Sequence, residues 1–253
     1  MCLVLGIDFE TTGLNPKVHV ICEVGAQLWD TEYHRAVQSL QCLVQPPVAA
    51  PPFEPDAIAA TGLVPDLITK YGKDSLRSLK QLLNMYDQAD VICAHNGNTC
   101  DRLFLRAWMD FFGFTDETFL ENKLWLDTMV DIDYPKKWNK QLICLAAYHG
   151  FINPFPHQAM GDVMTMFAIL DHYPIEQVIE MAQTPTIGAR LTGIPYDDRE
   201  WAKTRGYFPY YMSGKFMFWM KTFKENKLEA EAAEAKTSGY GLERLSKIPE
   251  GVY

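Results

Sequence analysis

The chain has 253 residues, enough for one α/β domain of common size and a small second module. Apolar residues make up 48% and charged residues 22% of it, which excludes a wholly disordered chain. The formal net charge of −9 argues against a protein coated in positive charge for duplex DNA. No apolar run approaches the ~20 residues of a membrane span, so no membrane partner is expected.

The cysteines and the first residues bear on the compartment. None of the six cysteines forms a Cys-x-x-Cys pair, so neither a zinc knuckle nor a dithiol redox motif is indicated. The first apolar run ends at Asp8 and has no basic leader, so we do not expect a signal peptide. These features predict a cytoplasmic protein in a reducing compartment.

Residues 1–175 read as strands and helices of one domain. Apolar runs over residues 3–10, 19–29 and 36–44, separated by turn signals, predict an antiparallel meander of three strands. Pro46-Pro47 and Pro51-Pro52 then mark a loop. Helical spacing follows over 74–89, 98–112, 141–148 and 158–172, with short strands over 90–95 and 124–130. This order predicts an α/β fold with a mixed sheet flanked by helices.

The pattern changes near Thr184-Pro185, where we predict a domain boundary. The expected domains are residues 1–183, a small α+β module over 184–228, and a helical or disordered tail over 229–253. Within the module we expect a strand over 191–196, a helix over 198–205, and a hairpin of 207–212 and 216–223 turning at Ser213-Gly214.

The module is basic and aromatic. Residues 187–227 carry 8 Lys and Arg against 4 Asp and Glu, and 8 of the 17 residues over 207–223 are aromatic. Aromatic platforms with interleaved cations are typical of single-strand binding. A module this small also needs large side chains for its core, so both interpretations stay open.

Asp8 and Glu10 end the first predicted strand. Residues i and i+2 of a strand share a face, so the two carboxylates project together from an apolar strand. Neighbouring anions repel each other unless a cation lies between them. Taken alone, the pair is also compatible with a turn after a strand.

Three further residues lie at places where sites form. Asp101 follows the fourth predicted strand at the start of a helix, where α/β sheets place ligands, although it could merely complement the helix dipole. Asp162 starts a long apolar helix. His157 precedes that helix in a loop marked by Pro154 and Pro156, from which it could converge on Asp162 or serve a structural role.

Three motifs in this order resemble the DEDDh subgroup of 3′→5′ exonucleases, which includes the polymerase III epsilon proofreading subunit and exonuclease X. They are Asp-x-Glu-Thr-Thr-Gly from Asp8, Ala-His-Asn from Ala94 with Asp101 following, and His-x-Ala-x-x-Asp from His157. The resemblance covers about residues 1–175. It departs at Cys100, where the family usually has Phe before the aspartate.

The resemblance implies a ribonuclease H-like fold with a five-stranded sheet and a metal-dependent exonuclease. Asp8, Glu10, Asp101 and Asp162 would hold two divalent cations, Mg²⁺ or Mn²⁺, and His157 would act as the general base. The site prediction for substrate contacts comprises Thr11, Thr12, His95 and Asn96. Glu23, within the second predicted strand, is interpreted as structural.

The expected substrate is nucleic acid. Single-stranded or frayed DNA is favoured, with RNA as the alternative because RNase T and oligoribonuclease share the same five residues. A catalytically silent subunit that binds nucleic acid or a polymerase is a further alternative, which the presence of all five residues disfavours. A polymerase or a replication or repair protein is compatible with the resemblance as a partner, but the tail shows no clear clamp-binding peptide.

Overall fold

The computed structural model describes residues 2–47, 53–135 and 137–249. The chain divides into two compact units, Met1–Ala182 and Gln183–Tyr253, and each has a sheet of its own. None of the helices in the described residues has the length and apolar character that a membrane crossing requires.

The first unit contains a sheet and the helices around it. Its strands are β1 (Leu3–Thr11), β2 (Ile21–Asp30), β3 (Arg35–Leu43), β4 (Val91–Ala94) and β5 (Leu124–Asp127). Its helices are α1 (Pro55–Thr61), α2 (Pro65–Tyr71), α3 (Ser75–Gln88), α4 (Asp101–Phe111), α5 (Leu142–Tyr148), α6 (Ala159–Leu170) and α7 (Ile175–Gln183). A short 3-10 helix spans Phe119–Glu121.

The sheet has the order β3-β2-β1-β4-β5. β1 pairs antiparallel with β2 and parallel with β4, while β3 and β5 complete the two edges. The predicted mixed five-stranded sheet flanked by helices is therefore confirmed. β1 lies at its centre because its run of apolar residues can be buried on both faces.

Alternation along β1 divides its side chains between two cores. Leu5, Ile7 and Phe9 pack with α3 and α4 on one face. The other face lies against α6, which approaches both β1 and β2 closely. Glycines permit this approach: a Cβ on Gly6 would lie 2.4 Å from Phe167, and one on Gly25 would lie 2.3 Å from the backbone of Ala159. Asp8 and Glu10 share the α6 face of β1.

Three short helices of the first unit were not predicted: α1, α2 and α7. Pro55 and Pro65 stand at the first positions of α1 and α2, where proline is favoured because the missing N–H would have no partner within the helix. Prolines that follow the predicted loop therefore begin helices. Pro46 and Pro47 lie outside regular structure as expected, whereas Pro51 and Pro52 lie outside the described residues.

The second unit is a small sheet with two helices. Its elements are β6 (Thr186–Thr192), α8 (Arg199–Thr204), β7 (Phe208–Met212), β8 (Lys215–Lys224), α9 (Leu228–Thr237) and β9 (Gly241–Arg244). Short 3-10 helices span Tyr196–Asp198 and Glu225–Lys227. The strand order is β7-β8-β6-β9, and each pairing is antiparallel.

Two expectations for the second unit were wrong. The strand expected over 191–196 is β6, which starts earlier and ends before Gly193, whose φ of +74° breaks the extended backbone. The expected tail after residue 228 also contributes a strand, because β9 pairs with β6 and places Leu242 opposite Leu191 in a shared core. The last residues, 250–253, lie outside the described residues.

Candidate active site

The site begins on β1. Asp8 and Glu10 are two residues apart on that strand and face α6, as the alternation predicts. Burial raises the pKa of the Asp8 carboxyl well above its usual range, and the charges of Asp101 and Glu10 raise it further. Burial also raises the pKa of Glu10 to about 8, with the carboxylates of Asp162 and Glu23 acting in the same direction. The two carboxylates therefore lie in a strongly negative, desolvated environment.

Asp101 joins this environment from α4. β4 runs parallel to β1, so the carboxyl ends of the two strands lie on the same side of the sheet. The loop after β4 therefore begins near the end of β1. The Phe9 N–H donates to Asp101 Oδ1 over 3.1 Å, although 92 residues separate the two along the chain. Burial raises the pKa of Asp101 to about 7, against the hydrogen bonds from its own N–H and that of Phe9. Asp101 is the first residue of α4, and the hydrogen bond from Phe9 connects α4 to β1.

His157 and Asp162 come from the start of α6 and the loop before it. His157 lies in that loop, as expected, with an exposed side chain and a φ of +61°. Its N–H donates to Asp162 Oδ2 over 3.2 Å, and Asn153 Nδ2 donates to Asp162 Oδ1 over 2.5 Å. Burial raises the pKa of Asp162, while these two hydrogen bonds lower it. Asn153 thus orients Asp162, a contact that no pattern in the sequence predicted.

Three of these side chains lie close enough together to surround one metal ion. Glu10, His157 and Asp162 each offer a ligand atom, and these atoms all lie within 4.8 Å of one another. The chemistry of the wider group fits a divalent cation, because carboxylate oxygens are the hard ligands that Mg²⁺ and Mn²⁺ prefer. The raised pKa values of Asp8, Glu10 and Asp101 are consistent with this fit. A bound cation would offset the burial that is their main cause, and for Asp8 and Glu10 also the repulsion from neighbouring carboxylates.

Glu23 is a fifth carboxylate that the sequence interpretation set apart. It lies on β2 directly opposite Glu10 in the register and is only 6% exposed. Its carboxylate accepts hydrogen bonds from the Ala159 N–H and from the Gln41 side chain, while burial raises its pKa. Glu23 therefore holds the first residue of α6 against the sheet. The only signal in the sequence was a charged residue inside an apolar strand.

The side chains of the residues predicted to contact substrate form hydrogen bonds within the protein. Thr11 Oγ1 donates to the Gly13 carbonyl over 2.9 Å. The fully buried Thr12 hydroxyl accepts from the Val20 N–H over 3.2 Å and lies 3.3 Å from His19 Nδ1. The Thr12 hydroxyl therefore stabilises the turn after β1, and contact of Thr11 and Thr12 with substrate stays a prediction.

His95 and Asn96 begin the loop between β4 and α4. His95 Nδ1 lies 2.8 Å from Thr128 Oγ1, and Nε2 lies 2.9 Å from the Lys140 carbonyl. Burial lowers the pKa of His95 to about 4, so its ring is neutral and both nitrogens are engaged. Asn96 is exposed, and its N–H donates to Asp127 Oδ1 over 2.8 Å. Of the two, Asn96 has the side chain that reaches solvent.

Carboxylates that converge near the carboxyl ends of central strands, with a histidine nearby, fit the metal site of a hydrolase. The family model of the RNase T exonucleases, described as "Exonuclease", matches residues 5–170. This match spans more than half of the chain, so the protein belongs to this exonuclease family. The predicted exonuclease resemblance is confirmed.

Solved structures of exonuclease I have a similar fold. One matches with a TM-score of 0.61 and 16% identity over 81% of this chain and 50% of that chain. The E. coli enzyme with a dT13 oligonucleotide gives 0.58 and 16%, covering 76% and 49%. The zinc-bound E. coli enzyme with single-stranded DNA gives 0.57 and 19%, covering 72% and 41%. This chain thus spans half or less of those proteins, and the likeness establishes the ribonuclease H-like fold. No curated protein matches the sequence significantly.

Proposed function

We propose that the protein is a DEDDh-type 3′→5′ exonuclease that removes terminal nucleotides from single-stranded DNA. The observation that carries the proposal is the convergence of Glu10, His157 and Asp162 within 4.8 Å, beside Asp8 and Asp101. The exonuclease I structures that share the fold were solved with single-stranded DNA, which supports this choice of substrate.

Asp8, Glu10, Asp101 and Asp162 would hold two divalent cations, Mg²⁺ or Mn²⁺, through their carboxylate oxygens. When bound, such cations supply an activated water and stabilise the charge that develops on the leaving oxygen. The structure contributes fixed ligand positions: the Phe9 N–H holds Asp101, and Asn153 with the His157 N–H holds Asp162. These hydrogen bonds limit the reorganisation that cation binding requires.

His157 would accept the proton of the attacking water through its imidazole ring. Water adds to the terminal phosphorus, the bond from phosphorus to the 3′ oxygen breaks, and that oxygen takes up a proton as the shortened strand leaves. The exposed position of His157 suits this role because a base must exchange its proton with solvent before the next cycle.

Labelled substrates test the proposal directly. Purified protein with Mg²⁺ is offered single-stranded DNA carrying a label at its 3′ end or at its 5′ end. We expect early release of labelled mononucleotide from the 3′ end, progressive shortening of the 5′-labelled strand, and no turnover in EDTA. Release of mononucleotide first from the 5′ end, or full activity in EDTA, would refute the proposal.

The same assay separates the alternatives. Matched RNA and duplex DNA with a 3′ overhang are compared with the single strand at equal concentration. Faster hydrolysis of RNA would reassign the substrate, because the five proposed active-site residues are shared with exoribonucleases. Strand binding without any hydrolysis would indicate a silent binding subunit instead.

A further inference from the structure

The β7–β8 hairpin contains more aromatic side chains than the core of its unit uses. Tyr207, Trp219 and Phe223 are buried, and they belong to the clusters that pack the sheet with α8, α9 and β9. Tyr211 and Phe216, by contrast, are 55% and 42% exposed near the far end of the hairpin. Core formation therefore explains one part of the aromatic content and leaves the end of the hairpin unexplained.

The end of the hairpin is an ordered surface. Ser213 and Gly214 have φ values of +52° and +77°, as in the tight two-residue turns that match strand twist. Tyr211 and Phe216 pair across the strands, with ring centroids 6.0 Å apart at an interplanar angle of 74°. Met212 and Met217, which are 55% and 41% exposed, extend the apolar surface.

Below this end, the same two strands carry a second aromatic pair. Tyr210 and Phe218 are stacked, with centroids 5.2 Å apart and planes at 27°. The guanidinium of Arg190 lies 5.7 Å from the Phe218 centroid while also pairing with Glu243. Arg190 therefore supports the ring of Phe218, and its charge is already balanced.

Charge selects the partner of this surface. Residues 206–224 contain three lysines and no acidic residue, in a chain whose net charge is −9. Lys221 is held by Glu231 of α9 at 2.8 Å, whereas Lys215 is exposed and forms no ion pair within the described residues. Flat aromatic faces beside an unbalanced cation suit the bases and phosphates of a single strand.

We propose that the end of the β7–β8 hairpin, formed by Tyr211, Met212, Lys215, Phe216 and Met217, is a stacking surface for single-stranded nucleic acid. Bases would stack on Tyr211 and Phe216, and Lys215 would contact a phosphate. This inference rests on the proposed function for its biological purpose, since such a surface would retain the strand that the first unit shortens.

Binding in EDTA tests the surface without hydrolysis. A long 5′-fluorescein-labelled oligothymidylate is titrated with the wild type and with Tyr211→Ala, Phe216→Ala and the double variant, using fluorescence anisotropy. Tyr71→Ala is the matched control, because Tyr71 is also 55% exposed but lies in the first unit. Circular dichroism verifies that each variant is folded.

We expect each aromatic substitution to weaken binding about fivefold or more, and Tyr71→Ala to leave it unchanged. Lys215→Ala should lower the slope of log affinity against log salt by about 0.7, the value for one phosphate contact on a single strand. Lys80→Ala, which removes an exposed lysine of α3, is its control. A double aromatic variant that binds like Tyr71→Ala would overturn the inference.

Photo-crosslinking to a 5-iodouracil strand gives a second measurement that needs no substitution. Crosslinked peptides should include residues of the hairpin end, and crosslinks confined to the first unit would contradict the inference. Wild-type hydrolysis with unchanged binding by the variants would refute the surface alone. Hairpin-dependent binding without any hydrolysis would refute the proposed activity alone.

Discussion

Two groups of acidic residues, one in each unit, have opposite surroundings. In the second unit, carboxylates pair with cations: Glu243 with Arg190 at 2.7 Å, Glu231 with Lys221 at 2.8 Å and Glu234 with Arg205 at 3.1 Å. In the first unit, the carboxylates of the candidate site gather together. The group consists of Asp8, Glu10, Glu23, Asp101 and Asp162. Within the described residues, none of these carboxylates forms an ion pair with lysine or arginine.

The difference indicates the group of carboxylates at which we expect an external cation. A buried carboxylate without a counter-ion is unfavourable. Burial is also the main cause of the raised pKa values of Asp8, Glu10 and Asp101. The three carboxylates of the second unit named above have cationic partners within the unit. The following predictions test whether the two groups behave as differently as this comparison requires.

The largest effect is expected from removing a carboxylate of the first-unit group. Asp8→Ala should lower exonuclease turnover by ~10³-fold or more, since a bound cation contributes several kcal/mol to transition-state stabilisation. It should also weaken Mn²⁺ binding, measured by isothermal titration calorimetry. Asp87→Asn, at an exposed position on α3, is the control and should change neither quantity. Equal effects of the two substitutions would contradict the comparison.

His157→Ala should lower turnover by about 10²–10⁴-fold through loss of the base. Mn²⁺ binding should persist in this variant, because the carboxylates remain and the His157 N–H that holds Asp162 belongs to the backbone. Calorimetry and single-turnover kinetics measure the two quantities separately. Loss of Mn²⁺ affinity as large as that in Asp8→Ala would make His157 a ligand or a structural support.

A smaller effect is expected from Glu23, which we infer to be a positioning residue. Glu23→Ala removes the acceptor of the Ala159 N–H at the start of α6, so Asp162 and His157 should be held less well. Supporting contacts of metal ligands typically change affinity by ~10–100-fold, and we expect Mn²⁺ affinity to fall within this range.

Glu23→Gln provides the matched control for that prediction. Its amide oxygen can still accept from the Ala159 N–H, so it should restore most of the Mn²⁺ affinity. Gly25→Ala should behave like Glu23→Ala, because the added Cβ would lie 2.3 Å from the Ala159 backbone. If Glu23→Gln binds Mn²⁺ as weakly as Glu23→Ala does, Mn²⁺ affinity requires the charge of Glu23 rather than its hydrogen bond.

The smallest effect concerns stability and pH. Folding raises the pKa of Glu10 to about 8 and that of Asp101 to about 7, from unfolded values near ~4, so the folded chain holds more protons between these limits. The free energy of unfolding of the metal-free protein should therefore fall as pH rises through this range. Thermal melts in EDTA should show a transition temperature several degrees lower at the alkaline limit. This corresponds to a loss of unfolding free energy of the order of a few kcal/mol.

Mn²⁺ should reduce this pH dependence, because the cation competes with the protons for the same carboxylates. A metal-free melting temperature that stays constant or rises over this interval would contradict the raised pKa values of Glu10 and Asp101. Glu231→Gln is a useful comparison, since its carboxylate is already balanced by Lys221 and belongs to the other group.

Local patterns predicted much of the first unit. Its five strands and four of its helices follow from apolar runs and helical spacing, because a strand or helix buries one face at a fixed period. The same period placed Asp8 and Glu10 on one face, and the prolines correctly placed His157 in a loop before α6. The short helices α1 and α7, of seven and nine residues, were not predicted.

The sequence by itself determined the family, the mixed sheet and the identity of the carboxylates near the end of its central strand. Motif order and period are local properties. Only the tertiary structure decided which partners those residues have: Glu23 faces Glu10 through a register interrupted by a bulge at Glu10 and Thr11, and Asp101 meets Phe9 across 92 residues. The same holds for β9, whose short segment becomes a strand only because β6 offers an edge and Leu191 an apolar neighbour. Such contacts depend on strand register and loop closure, which join distant segments and leave no period in the sequence.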